Sequence, residues 1–245
     1  MATLFISDLH LHPSRPAIIA CFLKFIEQQQ GRADALYILG DLFESWIGDD
    51  HPEPAYHAVK LALGGCCDAG TPVYLMHGNR DFMLGDAFTG ETGCILLSDP
   101  TCIDLHGTPT LLMHGDSLCV DDHEYQQIRA RVRDPAWQQQ ARVLPVDQRL
   151  QIAAQARELS AQSNQGKAED IMDVNQDEVV RVIEQHQVEL LIHGHTHRPG
   201  RHAIRIGNRE TTRIVLGDWY DKGSVLITDT QGRRLQTLSC QGAPC

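Results

Sequence analysis

Short apolar runs recur along this chain, each closed by a glycine, aspartate or histidine, with amphipathic stretches between them. Residues 4–7 read as a first buried strand. Pro16 stands at a helix start, and Ile18, Ile19, Phe22, Leu23 and Ile26 follow at helical spacing. Residues 35–39 make a second strand, 55–69 a second helix and 72–77 a third strand. Further strands are predicted over 102–105, 110–114 and 189–193. Strands alternating with helices predict a largely parallel sheet. After residue 197 the pattern changes to 201–206, 213–216, 224–228 and 234–238, short runs with turn residues and no helix between them. They predict antiparallel strands completing a second sheet. The expected fold is α/β: a two-sheet sandwich flanked by helices, in a single domain spanning 1–245.

One stretch breaks the alternation. Residues 119–175 read as helical, rich in Gln, Ala and Arg, and punctuated by Pro135 and Pro145. They predict a helical insertion, a cap lying over the strand ends. Along it Arg157, Ser160, Asn164 and Lys167 fall at spacings of three and four, so one helix face carries two cations and two hydrogen-bonding groups. Pattern alone leaves that face open between a ligand contact and a solvated surface.

Charge then narrows the function. With 21 basic against 32 acidic residues the net charge is -11, which argues against nucleic-acid binding through a general basic patch. No run reaches the ~18–20 apolar residues of a spanning helix. The N-terminus does not read as a signal peptide, since Asp8 interrupts its apolar run. The eight cysteines show no metal-binding spacing, and the expectation is free thiols in a reducing compartment. Cys66 and Cys67 read as two small buried residues at a helix end, with a vicinal redox pair as the alternative.

The candidate chemistry sits where the strands end. Five clusters follow in order: Asp8 with His10; Gly40 with Asp41; Gly78, Asn79, Arg80 and Asp81; His114, Gly115 and Asp116; Gly194, His195, Thr196 and His197. Loops at strand ends are where open α/β folds collect their functional groups. In Asp8-x-His10, residues at i and i+2 of an extended segment project the same way and can face one ion. Taken singly, Asp41 could cap a turn and His114 could be a packed histidine. Taken together, Asp8, His10, Asp41, Asn79, His114, His195 and His197 supply the donors that two adjacent divalent ions need. Oxygen and imidazole donors without thiolate suit Mn²⁺, Fe²⁺ or Zn²⁺. Such a pair would outweigh the two carboxylates and attract an anionic phosphate.

This series resembles the calcineurin-like metallophosphoesterase superfamily, whose pattern runs D-x-H, G-D, G-N-H-[ED], a later H, and G-H-x-H. The resemblance implies that Asp8, His10, Asp41 and His197 hold one ion. Asp41, Asn79, His114 and His195 would hold the other, with Asp41 bridging. One position departs: Arg80 stands where the superfamily has a histidine that protonates the leaving alcohol. Arginine cannot deliver a proton at neutral pH, but it pairs bidentately with phosphate oxygens. The leaving group must therefore need no proton, which favours a pyrophosphate bond over the ester of an alcohol.

The strings 39–50 and 78–82 are similar to those of one member family, the UDP-2,3-diacylglucosamine hydrolases of lipid A biosynthesis. That resemblance implies two Mn²⁺ ions per chain and hydrolysis of UDP-2,3-diacylglucosamine to UMP and 2,3-diacylglucosamine 1-phosphate. Arg80, Asp41 and His114 would be the catalytic residues. Asn79, Arg80, Asp122, Arg157, Ser160, Asn164, Lys167 and His195 would contact substrate. Trp46, Phe82, Met83, Tyr125 and Ile152 are candidates to line a cleft for acyl chains. The resemblance further implies peripheral attachment to the cytoplasmic face of the inner membrane, and nothing announces an obligate protein partner. The alternatives are a dinuclear phosphodiesterase acting on another nucleotide or phosphodiester, and a metal-free scaffold.

Overall fold

A computed structural model describes residues 1–164 and 173–240, the side chains of 160–164 excepted. The chain runs β1 (Ala2–Ile6), α1 (Pro16–Gln29), β2 (Ala33–Leu39), α2 (Pro54–Asp68), β3 (Val73–Met76), α3 (Asp86–Thr92) and β4 (Ile95–Leu97). Next come β5 (Thr101–Leu105), β6 (Thr108–Met113), α4 (His123–Val132), α5 (Pro135–Arg142), α6 (Val146–Asn164) and α7 (Gln176–His186). The chain continues through β7 (Leu190–His193), β8 (Gly200–Ile206), β9 (Arg209–Val215), β10 (Gly223–Asp229) and β11 (Gly232–Leu238). α3, β4 and α7 are additions to the elements read from sequence; α3 and β4 are too short to show a period, whereas Val179, Val182 and Ile183 of α7 do recur at helical spacing.

Two mixed sheets face each other. The first has the order β11-β10-β1-β2-β3-β4, with β1 to β4 parallel. The second has the order β5-β6-β7-β9-β8, with β6, β7 and β9 parallel. The late strands do not all complete the second sheet, as their pattern predicts. β8 and β9 do, but β10 pairs antiparallel with β1 and β11 with β10, both in the first sheet. Short antiparallel strands carry no signal of which edge they will join.

Alternation along the strands sets the layers. Leu36 and Ile38 of β2 point to one core with α1, α2 and α3, while Leu39 faces the other sheet. In β7, Leu190 and Ile192 join that inter-sheet core, and Leu191 packs with Val179, Val182 and Ile183 of α7. Helix α1 begins with Pro16 at its first turn, where no backbone N–H is needed, and buries Ile18, Ile19, Phe22, Phe25 and Ile26. Each such side chain stabilises the fold by roughly 1.5–3 kcal/mol through burial alone.

The expectation of free thiols needs correction at one pair. Cys21 on α1 is disulfide-bonded to Cys240, past β11, across a sequence separation of 219 residues. The contact is made by topology, so spacing could not reveal it. Cys66, Cys67, Cys94, Cys102 and Cys119 form no disulfide; near the end of α2, Cys66 is fully buried as expected, whereas Cys67 is only half-buried. Among the described residues, no helix is long and apolar enough to cross a membrane.

Candidate metal centre

All five clusters follow the C-terminal ends of parallel strands: β1, β2 and β3 in one sheet, β6 and β7 in the other. The loops are bonded to each other. Asp8 N–H donates to the Gly40 carbonyl at 3.1 Å, His10 N–H to the Asp41 carbonyl at 2.9 Å, and Gly194 N–H to the His114 carbonyl at 2.8 Å.

The local conformation departs from the extended segment expected at Asp8-x-His10. β1 ends at Ile6, and both residues are left-handed, with φ of 56° and 48°. Asp41, His195 and His197 share that conformation at 53°, 68° and 55°. For residues other than glycine this costs of order 1–3 kcal/mol each and persists only where the surroundings impose it. It turns each side chain back across the strand ends. Two glycines permit the crowding: a Cβ on Gly78 would lie 2.0 Å from Asp41 Oδ1, and one on Gly194 would lie 2.3 Å from Asp8 Oδ2.

The predicted donors do come together. His10 Nε2 lies 3.3 Å from His197 Nε2, and His197 Nε2 is 3.4 Å from Asp8 Oδ1. Asp41 Oδ2 sits between the two halves, 3.7 Å from His10 Nε2 and 3.9 Å from His114 Nε2. Asn79 Oδ1 is 3.0 Å from both His114 Nε2 and His195 Nδ1. Donor atoms of Asp8, His10 and His197 lie within 4.8 Å of one another, as do those of Asp8, Asp41 and His114. Asp8 Oδ2 accepts from Ser7 and from His195 N–H, whereas Asp8 Oδ1 is buried without a hydrogen-bond partner. A buried carboxylate oxygen left without a donor, facing imidazole nitrogens, fits a cation.

The electrostatics agree with that fit. Burial raises the Asp41 carboxyl above its ordinary value, against the pull of His114 and His10. Burial alone would lower His114, yet Asp41, Asp116 and Asp8 overcome it and push it up to about 9. Burial works against ionising Asp8 too, but the close approach of His197 and the charges of His114, His197 and His10 hold it well below the carboxylate range. His195, buried and next to His114, is pushed down to about 3. The protein balances buried carboxylates with imidazolium, a task that divalent ions can take over with release of protons.

Several residues hold this arrangement that the cluster pattern left without a role. The buried Asp81 carboxylate accepts from Gly78 N–H at 2.8 Å and Leu42 N–H at 2.7 Å, tying two loops together. His193 is fully buried behind the fifth cluster, its Nδ1 2.9 Å from the Gly194 carbonyl oxygen. Glu44 Oε2 lies 3.1 Å from His10 Nδ1, and Asp218 Oδ2 lies 3.6 Å from His197 Nδ1. Glu44 falls in a quoted string; Asp218 had no sequence signal.

The candidate substrate residues are more scattered. Arg80 is half-buried, its backbone N–H donates to Asp41 Oδ1 at 2.8 Å, and its charge is felt by Glu44 and Tyr220. Arg157, on α6, acts on Glu44 and Tyr56. Asp122 caps α4 by accepting from Tyr125 N–H, so one of its oxygens has a structural task. Lys167 and the side chains of Ser160 and Asn164 lie outside what is described. Trp46 and Met83 are buried in the core behind the first sheet, so their expected place lining a cleft is corrected. Phe82 and Tyr125 are half-buried and Ile152 is exposed.

Helices α4 to α6 reach the site through charged and polar anchors. Arg129 Nε and Tyr125 Oη each lie 2.8 Å from Asp116 Oδ2, and Arg133 donates to the Gly78 carbonyl at 2.9 Å. Arg149 donates to the Ile47 carbonyl at 2.8 Å and clasps Asp50 with both terminal nitrogens.

Comparison with known proteins follows the same outline. The calcineurin-like phosphoesterase family matches residues 1–199. A UDP-2,3-diacylglucosamine hydrolase of Stenotrophomonas maltophilia (strain K279a) is 52% identical over 98% of this chain and 99% of its own length. Its namesake in Marinobacter nauticus is 54% identical over 89% of this chain and 90% of its own. That of Xanthomonas axonopodis pv. citri is 50% identical over 98% and 100%.

Proposed function

The chain belongs to the calcineurin-like phosphoesterase family and, within it, to the UDP-2,3-diacylglucosamine hydrolases, and from that premise we propose its reaction and the residues that carry it. It cleaves the pyrophosphate bond of UDP-2,3-diacylglucosamine, giving UMP and 2,3-diacylglucosamine 1-phosphate, in lipid A synthesis. The family implies divalent ions, and the metal is read as two Mn²⁺. Asp8, His10, Asp41 and His197 hold one ion; Asp41, Asn79, His114 and His195 hold the other.

Bound in this way, the ions supply a water of lowered pKa and a positive clamp for the oxygens of an in-line displacement. The protein's own groups do the rest. Asp41, fixed through its own Oδ1 by the Arg80 N–H, keeps the two halves of the site in register. The Arg80 guanidinium pairs with phosphate oxygens and stabilises the charge that grows as the bond breaks. It gives no proton, and a phosphate leaving group takes none. Asp122, Arg157, Ser160, Asn164 and Lys167 on the helical stretch 119–175, a cap over the strand ends, hold the glucosamine and direct its acyl chains. The lipid substrate brings the protein to the cytoplasmic face of the inner membrane as a peripheral component.

The observation that carries this reading is Arg80 beside Asn79, with its backbone on Asp41. Its test is a kinetic comparison. Turnover of UDP-2,3-diacylglucosamine should exceed that of UDP-glucosamine and of a cyclic nucleotide by orders of magnitude, and Arg80→Ala should lower kcat rather than raise KM alone. Comparable turnover of the cyclic nucleotide would favour a general phosphodiesterase.

A further inference from the structure

Cys66 and Cys67, adjacent in sequence, have no part in the chemistry above. Both lie in α2, where neighbouring side chains point about 100° apart and do not face each other. Cys66 turns inward and is fully buried, while Cys67 stands half-buried on the flank of the helix. The helix sends the two side chains different ways, so a vicinal pair is not what the fold prepares.

A different thiol meets Cys67. Helices α2 and α3 pack closely through glycines: a Cβ on Gly64 would lie 3.7 Å from the Thr92 carbonyl oxygen. Gly93 ends α3 with φ of 68°, its N–H donating to the Thr89 carbonyl at 2.8 Å. A Cβ there would lie 3.4 Å from Cys67 Cβ and 3.9 Å from its Sγ. Cys67 thus lies against the turn that leads into Cys94, which is 5% exposed and packs in the same core cluster. The close approach of the Cys94 thiol holds the Cys67 thiol down at about 7, although burial and the Asp68 charge oppose it; the Val73 N–H at the start of β3 helps. Cys94 is held far above the ordinary thiol range by Cys67 and by burial. Burial pushes Cys66 up to about 11.

A thiol of lowered pKa that is partly open to solvent, with a second thiol poised beside it, is the arrangement of a peroxide-reactive pair. We propose that Cys67 and Cys94 are such a pair, Cys67 taking an oxygen atom from a hydroperoxide and Cys94 resolving the product as a disulfide. The Cys67 thiolate attacks the outer oxygen of the peroxide; the O–O bond breaks and a sulfenic acid forms. The departing oxygen leaves as water or an alcohol with the proton that the thiol gave up. Cys94 then gives up its proton and attacks the Cys67 sulfur; the S–O bond breaks, and hydroxide leaves with that proton as water. Two electrons pass from two thiols to one peroxide, and the new S–S bond ties the end of α2 to the residue before β4. The pair lies at the N-terminal end of β3, whereas Asn79 follows its C-terminal end, so this chemistry runs apart from the metal centre.

Peptide mapping of the folded, full-length protein tests the pair, after treatment with hydrogen peroxide and alkylation of the remaining thiols. A Cys67–Cys94 disulfide is expected as the main new link. With Cys94→Ser, the sulfenic acid should persist and be trapped at Cys67 by a cyclic diketone; with Cys67→Ser, no such label should appear at Cys94. Cys66→Ser should leave the link intact. Before oxidation, iodoacetamide at about pH 7 should label Cys67 at least about tenfold faster than Cys66 or Cys94. In the unaltered protein, a Cys66–Cys67 link, oxidation confined to the exposed Cys102, or no link at all would overturn the proposal. So would diketone labelling of Cys94 in the Cys67→Ser variant.

Discussion

The strand-end loops and helices α4 to α6 lie beside one another and are held by opposite means. The loops rest on buried strands, bond to each other through backbone groups and carry five non-glycine residues in left-handed conformation. Their shape is imposed by the two packed sheets behind them. Helices α4 and α5 bury no residue at all, and α6 meets the body through Arg149 on Ile47 and Asp50. Packing and loop-to-loop backbone bonds hold the donors in place, as chemistry on a phosphorus atom demands. The helices meet the body through charged contacts and through the partly buried Trp137 and Ala141 of α5, a lighter attachment that suits adjustment around a substrate. Precision and adaptability are thus assigned to different parts of one chain.

The contrast can be broken most severely from the loop side. Asp41→Ala or His114→Ala should lower turnover by about a thousandfold or more with the fold retained, as circular dichroism and melting would show. Gly78→Ala forces a methyl group into the Asp41 carboxylate, so loss of activity and a destabilisation of several kcal/mol are expected from chemical unfolding. If either variant behaved like a surface substitution, the loops would not be the rigid part.

From the helical side the effect should be milder and of another kind. Arg149→Ala removes the anchor of α6 and should raise KM for the lipid substrate by about tenfold, with kcat and the core melting transition little changed. A variant that unfolded as a whole would show that the helices belong to the same cooperative unit. A last effect touches stability alone and concerns His193, pushed down to about 4 chiefly by burial, with the Arg213 charge acting in the same direction. An unfolded histidine takes a proton near pH 6.5 and the folded one does not until about 4, so stability should fall as the pH drops through that window. His193→Gln should flatten the slope, a difference on the order of 2 kcal/mol between pH 7 and 4 in denaturant titrations.

How much of this was legible in the sequence follows the same division. The strand ends were readable because each apolar run closes on a polar cluster, and the seven donors were found by their order along the chain. The backbone turn at Asp8 and His10 was not, since Asp and His tolerate positive φ better than most residues but do not demand it, and the surrounding loops enforce it. The placement of β10 and β11 in the first sheet, and the Cys21–Cys240 bond, are products of topology with no local signal. Asp218 escaped for the same reason: it reaches His197 from a loop between sheets, far from any cluster in sequence. In α4 to α6, ranges could be read from prolines and composition, but polar faces do not say which cation will find which carboxylate.

The central claim is metal-dependent cleavage of a pyrophosphate bond at the strand-end donors, and product analysis tests it most directly. UDP-2,3-diacylglucosamine would be incubated with the protein and Mn²⁺, with and without a chelator, and the products identified by mass spectrometry. The account expects UMP and 2,3-diacylglucosamine 1-phosphate, lost on chelation and restored by added Mn²⁺. Release of intact UDP, or turnover indifferent to the chelator, would contradict it.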